Sequence, residues 1–144
     1  MQLTPGKLLG LRRMADKNGL FKMVAADQRP PIKNPIARQL NLPEAPWAEV
    51  ARLKLEIVHH LQGAGSAVLL DPHYGIPAAF DALAQDKGLV VTLEDSVFTE
   101  TDEGRFSASI NEWSVSKIKR LGGDAVKVLA WYRPDASPAN IAFQ

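Results

Sequence analysis

Lys127 lies in the middle of an apolar run at 124–135, DAVKVLAWYRPD, between Val126 and Val128 and shortly before Leu129 and Trp131. An ammonium among such neighbours is costly to bury without a partner or a purpose. Three chemistries fit it. A lysine whose pKa is lowered by desolvation and nearby cations forms a Schiff base with a carbonyl substrate. A lysine that keeps its charge holds a phosphate or an alkoxide. A lysine beside a carboxylate is a structural pair, and Glu94 is its natural partner.

Other residues of chemical interest stand at the ends of apolar runs. Asp27-Gln28-Arg29 groups an acid, an amide and a guanidinium. Gln and Arg both donate to hydroxyl and phosphate oxygens, and a plain Asp–Arg pair is an equal alternative. Asp71, just before Pro72, either caps a strand end or reaches substrate. His73 reads as a solvated loop residue, and Arg133 follows the Lys127 run. Glu94 and Asp95 are adjacent, so on a strand they face opposite ways and only one can point to a site. The other caps a loop or pairs with a base. Glu56, His59 and His60 share a helical turn in the manner of metal ligands, but read as a solvated helix face, as do the charges of 115–120. No metal site and no cofactor are expected. A Gly-x-Gly-x-x-Gly turn and a Walker loop are both missing.

The elements that must position these groups follow from pattern. Thr4-Pro5 caps a helix that Asn18-Gly19 should stop. The run at 20–27 is a strand ending in Asp27. The three prolines of 28–35 predict irregular chain, with a short helix over 35–40. A long helix is expected over 44–65, with Trp47, Val50, Leu53, Leu55, Ile57, Val58 and Leu61 as its apolar stripe. A strand at 66–72, a helix at 76–88 and a strand at 89–96 follow. Residues 97–113 read as a long polar loop. A helix at 114–123 capped by Ser114, the Lys127 strand at 124–135, and a helix beginning at Ser137-Pro138 complete the chain.

Four apolar strands alternating with helices imply an α/β fold with a covered parallel sheet. In a β/α barrel, functional residues sit at the C-terminal strand ends, which selects the residues above. Lys127 shares strand parity with Ala125, Leu129 and Trp131, leaving Val126, Val128 and Ala130 to pack under helices. The chain stops about two turns into a freshly capped helix. Together with the family resemblance of the strand-end motifs, this gives the expectation of a partial barrel domain over 1–144, truncated at its C-terminus. An open doubly wound sheet, or a four-stranded α/β domain that ends here, is the alternative.

Composition sets the remaining bounds. The 144 residues are 46% hydrophobic and 23% charged, enough for one packed core. A net charge of +1 argues against a nucleic-acid partner. The chain has no cysteine, which excludes disulfides and zinc–thiolate sites. No stretch approaches the roughly 18–20 apolar residues of a membrane span, so neither membrane nor export is expected and the location is read as cytoplasmic.

Four segments together resemble the tagatose-1,6-bisphosphate aldolase family: AADQR after the first strand, SAVLLDPHYGIPA at the second, LEDS at the third and WSVSKIKRLGGDAVKVLAWYRPDA at the fourth. The resemblance runs in order over nearly the whole chain. It implies a (β/α)8 TIM barrel, of which this chain supplies about the first four units after an N-terminal helix. It implies a class I, Schiff-base retro-aldol cleavage of a ketose phosphate to dihydroxyacetone phosphate and an aldehyde, with no cofactor. Gln28 and Lys127 fall on substrate-site positions, flanked by Asp27 and Arg29, with Glu94 supporting Lys127; Asp71 joins the substrate-binding candidates on its strand-end position alone. The family's Schiff-base lysine lies on a later strand, and Lys127 matches an accessory lysine. This chain alone is therefore expected to be inactive. The alternative is a non-catalytic half-barrel that serves as a binding or assembly module, with homo-oligomers as one outcome.

Overall fold

The computed structural model describes residues 3–144. It begins with the expected cap: Thr4 Oγ1 accepts from the Lys7 amide, and Pro5 opens α1 (Pro5–Met14). This helix ends earlier than Asn18-Gly19. Ala15 bridges to Phe21, and Asp16 Oδ1 accepts from the amides of Asn18 and Leu20. Gly19, at φ +78°, completes the turn that leads into β1 (Met23–Ala26).

The prolines after β1 do not break the chain into a loop. They start α2 (Pro30–Gln39), with proline in the first two positions, where no intrahelical donor is required. Pro35 lies inside that helix. Next comes α3 (Trp47–Leu61), whose stripe matches the expected one in part. Val50 and Val58 are buried and Leu55 and Ile57 pack against the core, but Trp47, Leu53 and Leu61 are exposed, and Ala51 and Lys54 are buried instead. The central strands β2 (Ala67–Leu70) and β3 (Gly88–Thr92) are buried along their whole length. Between them, α4 (Gly75–Ala79) is much shorter than expected. Gln62 takes the Ala82 carbonyl and the Ala84 amide, which a continued helix would need for its own ladder.

Residues 97–113 are not the expected loop. β4 (Glu94–Thr101) and β5 (Gly104–Ser109) form an antiparallel hairpin. α5 (Val115–Leu121) is capped by Ser114, whose Oγ accepts from the Lys117 amide, and it ends at Gly122 in the left-handed region. The expected strand at 124–135 contracts to β6 (Ala125–Lys127). Its strand neighbour among the described residues, β3, ends at Thr92 and hands over to the hairpin, so later residues find no ladder. α6 (Pro138–Phe143), capped by Ser137, packs on β5 through Phe106 and Phe143.

Strands β1, β2, β3 and β6 pair in parallel and in chain order, with Val24, Val68, Leu89 and then Val91, Val126 in register. This confirms the α/β reading with a parallel sheet. One face carries Ala26, Val68, Leu70, Leu89, Val91 and Val126 against Val58, Ile76, Ala79 and Ile118 of α3, α4 and α5. Each fully buried Val, Leu or Ile here contributes about 1.5–3 kcal/mol. The other face carries Ala67, Leu69, Val90 and Ala125, covered at one end by Leu11 and Met14 of α1. Two glycines permit that docking. A Cβ on Gly10 would stand 2.8 Å from the Asp124 carbonyl oxygen, and one on Gly88 2.8 Å from Met14 Cα. No helix among the described residues is long and apolar enough to cross a membrane.

Candidate active site

Side chains alternate across a strand, so Thr92, Glu94 and Lys127 fall on the face opposite α3–α5, as does Asp27 one residue past β1. The parity expected for Lys127 holds within β6, where Val126 packs with the helices and Ala125 with α1 on the other side. Val128 and Ala130, expected under the helices, are instead exposed beyond the strand end. Lys127 Nζ donates to Glu94 Oε1 and, at 3.1 Å, to Asp27 Oδ2. Thr92 Oγ1 donates to the same Asp27 oxygen at 3.0 Å.

The contact between Asp27 and Lys127 also describes the sheet. β1 and β6 are its two edges, which places them roughly 14 Å apart across three flat spacings. Parallel side chains of these lengths cannot meet over that span. The sheet is therefore concave on this face, and its C-terminal edge curls around the three charges.

Burial opposes the charge on Lys127. The hydrogen bonds to Glu94 and Asp27 outweigh it, and the lysine pKa is raised above its ordinary 10.5. Lys127 is therefore an ammonium, because its two carboxylate partners outweigh the desolvation that would otherwise activate a nucleophile. The Glu94 side chain is 6% exposed and that of Asp27 11%, whereas Lys127 keeps 31% of its surface open.

Arg29 extends the group. Its Nη2 donates to the Glu94 carbonyl oxygen at 2.9 Å, and its Nη1 is 3.8 Å from Asp95 Oδ1. Glu94 thus turns to Lys127 and Asp95 to Arg29, but Asp95 also lines the cleft, so the expected separation of the two holds only in part. Gln28 is exposed at the rim and donates to the Ala25 carbonyl oxygen at 3.3 Å. Together Asp27, Gln28, Arg29, Glu94 and Lys127 line a cleft of about 300 Å³, walled by Phe98, Leu129 and Trp131. Two of its buried polar atoms, Arg29 Nε and Glu94 Oε2, have no hydrogen-bond partner among the described residues.

Asp71 is not part of this cleft. It is fully buried, and its oxygens accept from the amides of His73, Tyr74 and Gly75 and from Lys54 Nζ. The substrate role expected for it gives way to a cap at the end of β2, the other possibility its position offered. Arg133 also lies apart, paired with Asp135 beside a separate hollow. Glu56 and His60 pair on an exposed helix face.

Three features of the site were not read from the sequence. Thr92 orients Asp27. Phe98 and Trp131 pack at 4.9 Å with the Arg105 guanidinium over both rings, so the hairpin supplies a wall. Lys54 is wholly buried behind the site. Its signal was its place at the core spacing Val50–Lys54–Val58.

No family model matches the chain. Comparison with curated proteins is informative. The tagatose 1,6-diphosphate aldolases of Streptococcus pneumoniae (strain ATCC BAA-255 / R6) and Lactococcus lactis subsp. lactis are each 36% identical to it over 137 residues. That of Staphylococcus aureus (strain JH9) is 32% identical over 136 residues. Over nearly its whole length, this chain is similar to the tagatose 1,6-diphosphate aldolases. The matches cover 94–95% of the chain and 41% of each aldolase. The chain thus spans about two fifths of the length of the aldolase relatives it matches. The family resemblance carried by the strand-end motifs is confirmed.

Proposed function

We propose that the chain supplies the N-terminal part of a class I aldolase that cleaves a ketose phosphate such as tagatose 1,6-bisphosphate to dihydroxyacetone phosphate and an aldehyde. The observation that carries this is the Lys127 ammonium, held by Glu94 and Asp27 across three strand ends and still open to a cleft. The aldolase relatives support the reaction class.

The barrel reading belongs to the same proposal. Chain-order strand pairing, helices α3–α5 on one face and the concave opposite face all favour the first four units of a (β/α)8 barrel over 1–144. A doubly wound sheet would instead reverse its strand order at a switch point.

The chemistry assigned to each residue follows from its state. Lys127 stays charged, so it stabilises a substrate oxygen as that oxygen gains negative charge. Glu94 holds Lys127 and offers Oε2 to a substrate hydroxyl. Arg29 offers Nε, and Gln28 an amide at the rim. Asp27, Glu94 and Asp95 outnumber Lys127 and Arg29, so the cleft suits the sugar's hydroxyl and carbonyl oxygens rather than its phosphates. The Schiff-base lysine and the main phosphate contacts are assigned outside residues 1–144, and the chain alone is inactive. Incubating the complete protein with tagatose 1,6-bisphosphate, and assaying dihydroxyacetone phosphate, tests the reading. Absence of product from folded, complete protein would refute it.

A further inference from the structure

Lys54 is the largest fully buried side chain in the described structure, and none of the site's chemistry so far uses it. It reaches from the middle of α3 to the C-terminal ends of two strands. Its Nζ donates to the Ala26 carbonyl oxygen at 2.6 Å, at the end of β1, and to Asp71 Oδ2, one residue past β2. The Ala26 carbonyl belongs to the peptide that leads into Asp27. Fixing that oxygen fixes the plane from which the Asp27 side chain departs. Asp71 meanwhile holds the amides of residues 73–75, so one ammonium ties together α3, the end of β1 and the loop after β2.

Lys54 faces Asp71 directly, with Asp27 and Arg29 as its next charged neighbours. Beyond them, Lys127 pairs with Asp27 and Glu94, and Arg29 stands 3.8 Å from Asp95. Burial pushes the Lys54 pKa down, and the charge and hydrogen bond of Asp71 work against that push. A buried lysine needs such a partner to persist, but a hydrophobic residue would fill the position at lower cost. The bond to Ala26 is what an apolar replacement cannot make.

We infer that Lys54 is a positioning residue: through the Ala26 carbonyl it sets Asp27 against Lys127, at a distance from the substrate. The inference rests on the proposed aldolase site for its functional meaning, but its geometry does not.

The test replaces the pair without changing net charge, as Lys54→Met with Asp71→Asn. The number of charges near Lys127 is then balanced as before, and any change in Lys127 reports geometry. Titration of the Lys127 ammonium in this chain, followed by nitrogen-detected NMR, is the readout. The double variant is expected to fold and to lower the Lys127 pKa relative to the parent, because Asp27 no longer holds its hydrogen bond. In the complete enzyme the same variant should lower kcat by about tenfold to a hundredfold with KM within about threefold, as for a misplaced catalytic group. A folded double variant with an unchanged Lys127 titration would overturn the inference. Lys54→Gln, which keeps a donor, is the second variant and should give a smaller change. If neither variant folds, Lys54 serves the fold rather than the site, and the inference also fails. The titration needs no activity, so its failure leaves the aldolase reading standing. Loss of the aldolase reading would likewise leave the titration result intact.

Discussion

Asp27 and Lys127 are 100 residues apart in the chain and 3.1 Å apart in the fold. They come from the two edges of one four-stranded sheet. Only a sheet curled toward this face brings them together, and the curl makes the cleft. The same contact sets the charge of the lysine, because each carboxylate it touches favours the ammonium.

Replacing Lys127 with methionine separates its role from that of a nucleophile. In the complete protein, Lys127→Met should lower kcat by about a hundredfold or more, the scale of a lost electrostatic stabiliser. Borohydride trapping of a carbonyl substrate should persist. Loss of trapping in a folded variant would return Lys127 to the role of Schiff-base residue.

The stability of Lys127→Met relative to the parent should depend on pH. Lys127 binds its proton more tightly folded than unfolded, because its folded pKa is raised above 10.5. Its stabilising contribution is therefore complete below about 10.5 and is lost as pH rises through the higher folded value. Lys54 acts in the opposite sense, since its folded pKa is lowered, but it is present in both proteins and cancels. Urea unfolding across this range should show the gap between the two proteins narrowing. A gap that is constant with pH would contradict the assigned pairing.

Asp71→Ala should cost about 3–5 kcal/mol, since it strands a buried ammonium. It also releases the three amides of residues 73–75. Equilibrium unfolding of the variant measures this directly. A loss below about 1 kcal/mol would mean that Lys54 neutralises without consequence.

The docking of α1 is tested at Gly88. A methyl group there meets Met14 and the Arg13 carbonyl at 2.8–2.9 Å, and backbone cannot yield cheaply. Gly88→Ala should destabilise the chain by about 1–3 kcal/mol, the usual scale of overpacking. A neutral result in thermal unfolding would mean that α1 shifts freely on the sheet.

Much of this site is legible in the sequence because strand ends carry it. The parity of Lys127 and the divergence of Glu94 and Asp95 both follow from a period of two. The central strands declare themselves through unbroken apolar runs. What escaped depends on partners that no local pattern names. The hairpin of β4 and β5 is rich in Thr, Glu and Ser, and only its pairing turns a polar segment into a wall. The run after Lys127 is apolar enough for a long strand, but β3 turns away at Glu94 and leaves it unpaired. The three prolines suggested irregular chain, but two of them occupy first-turn positions, where they are harmless. The strand-end position of Asp71 points to the substrate, but Lys54 claims it instead. The residue type of Lys54 gives no signal of this, because a lysine on a helix is ordinarily solvated.

The central claim is tested most directly by reducing the complete protein with borohydride in the presence of dihydroxyacetone phosphate and mapping the labelled peptide. The account predicts one labelled lysine, outside residues 1–144, with Lys127 unmodified. Label on Lys127, or no labelled lysine in active protein, would contradict it.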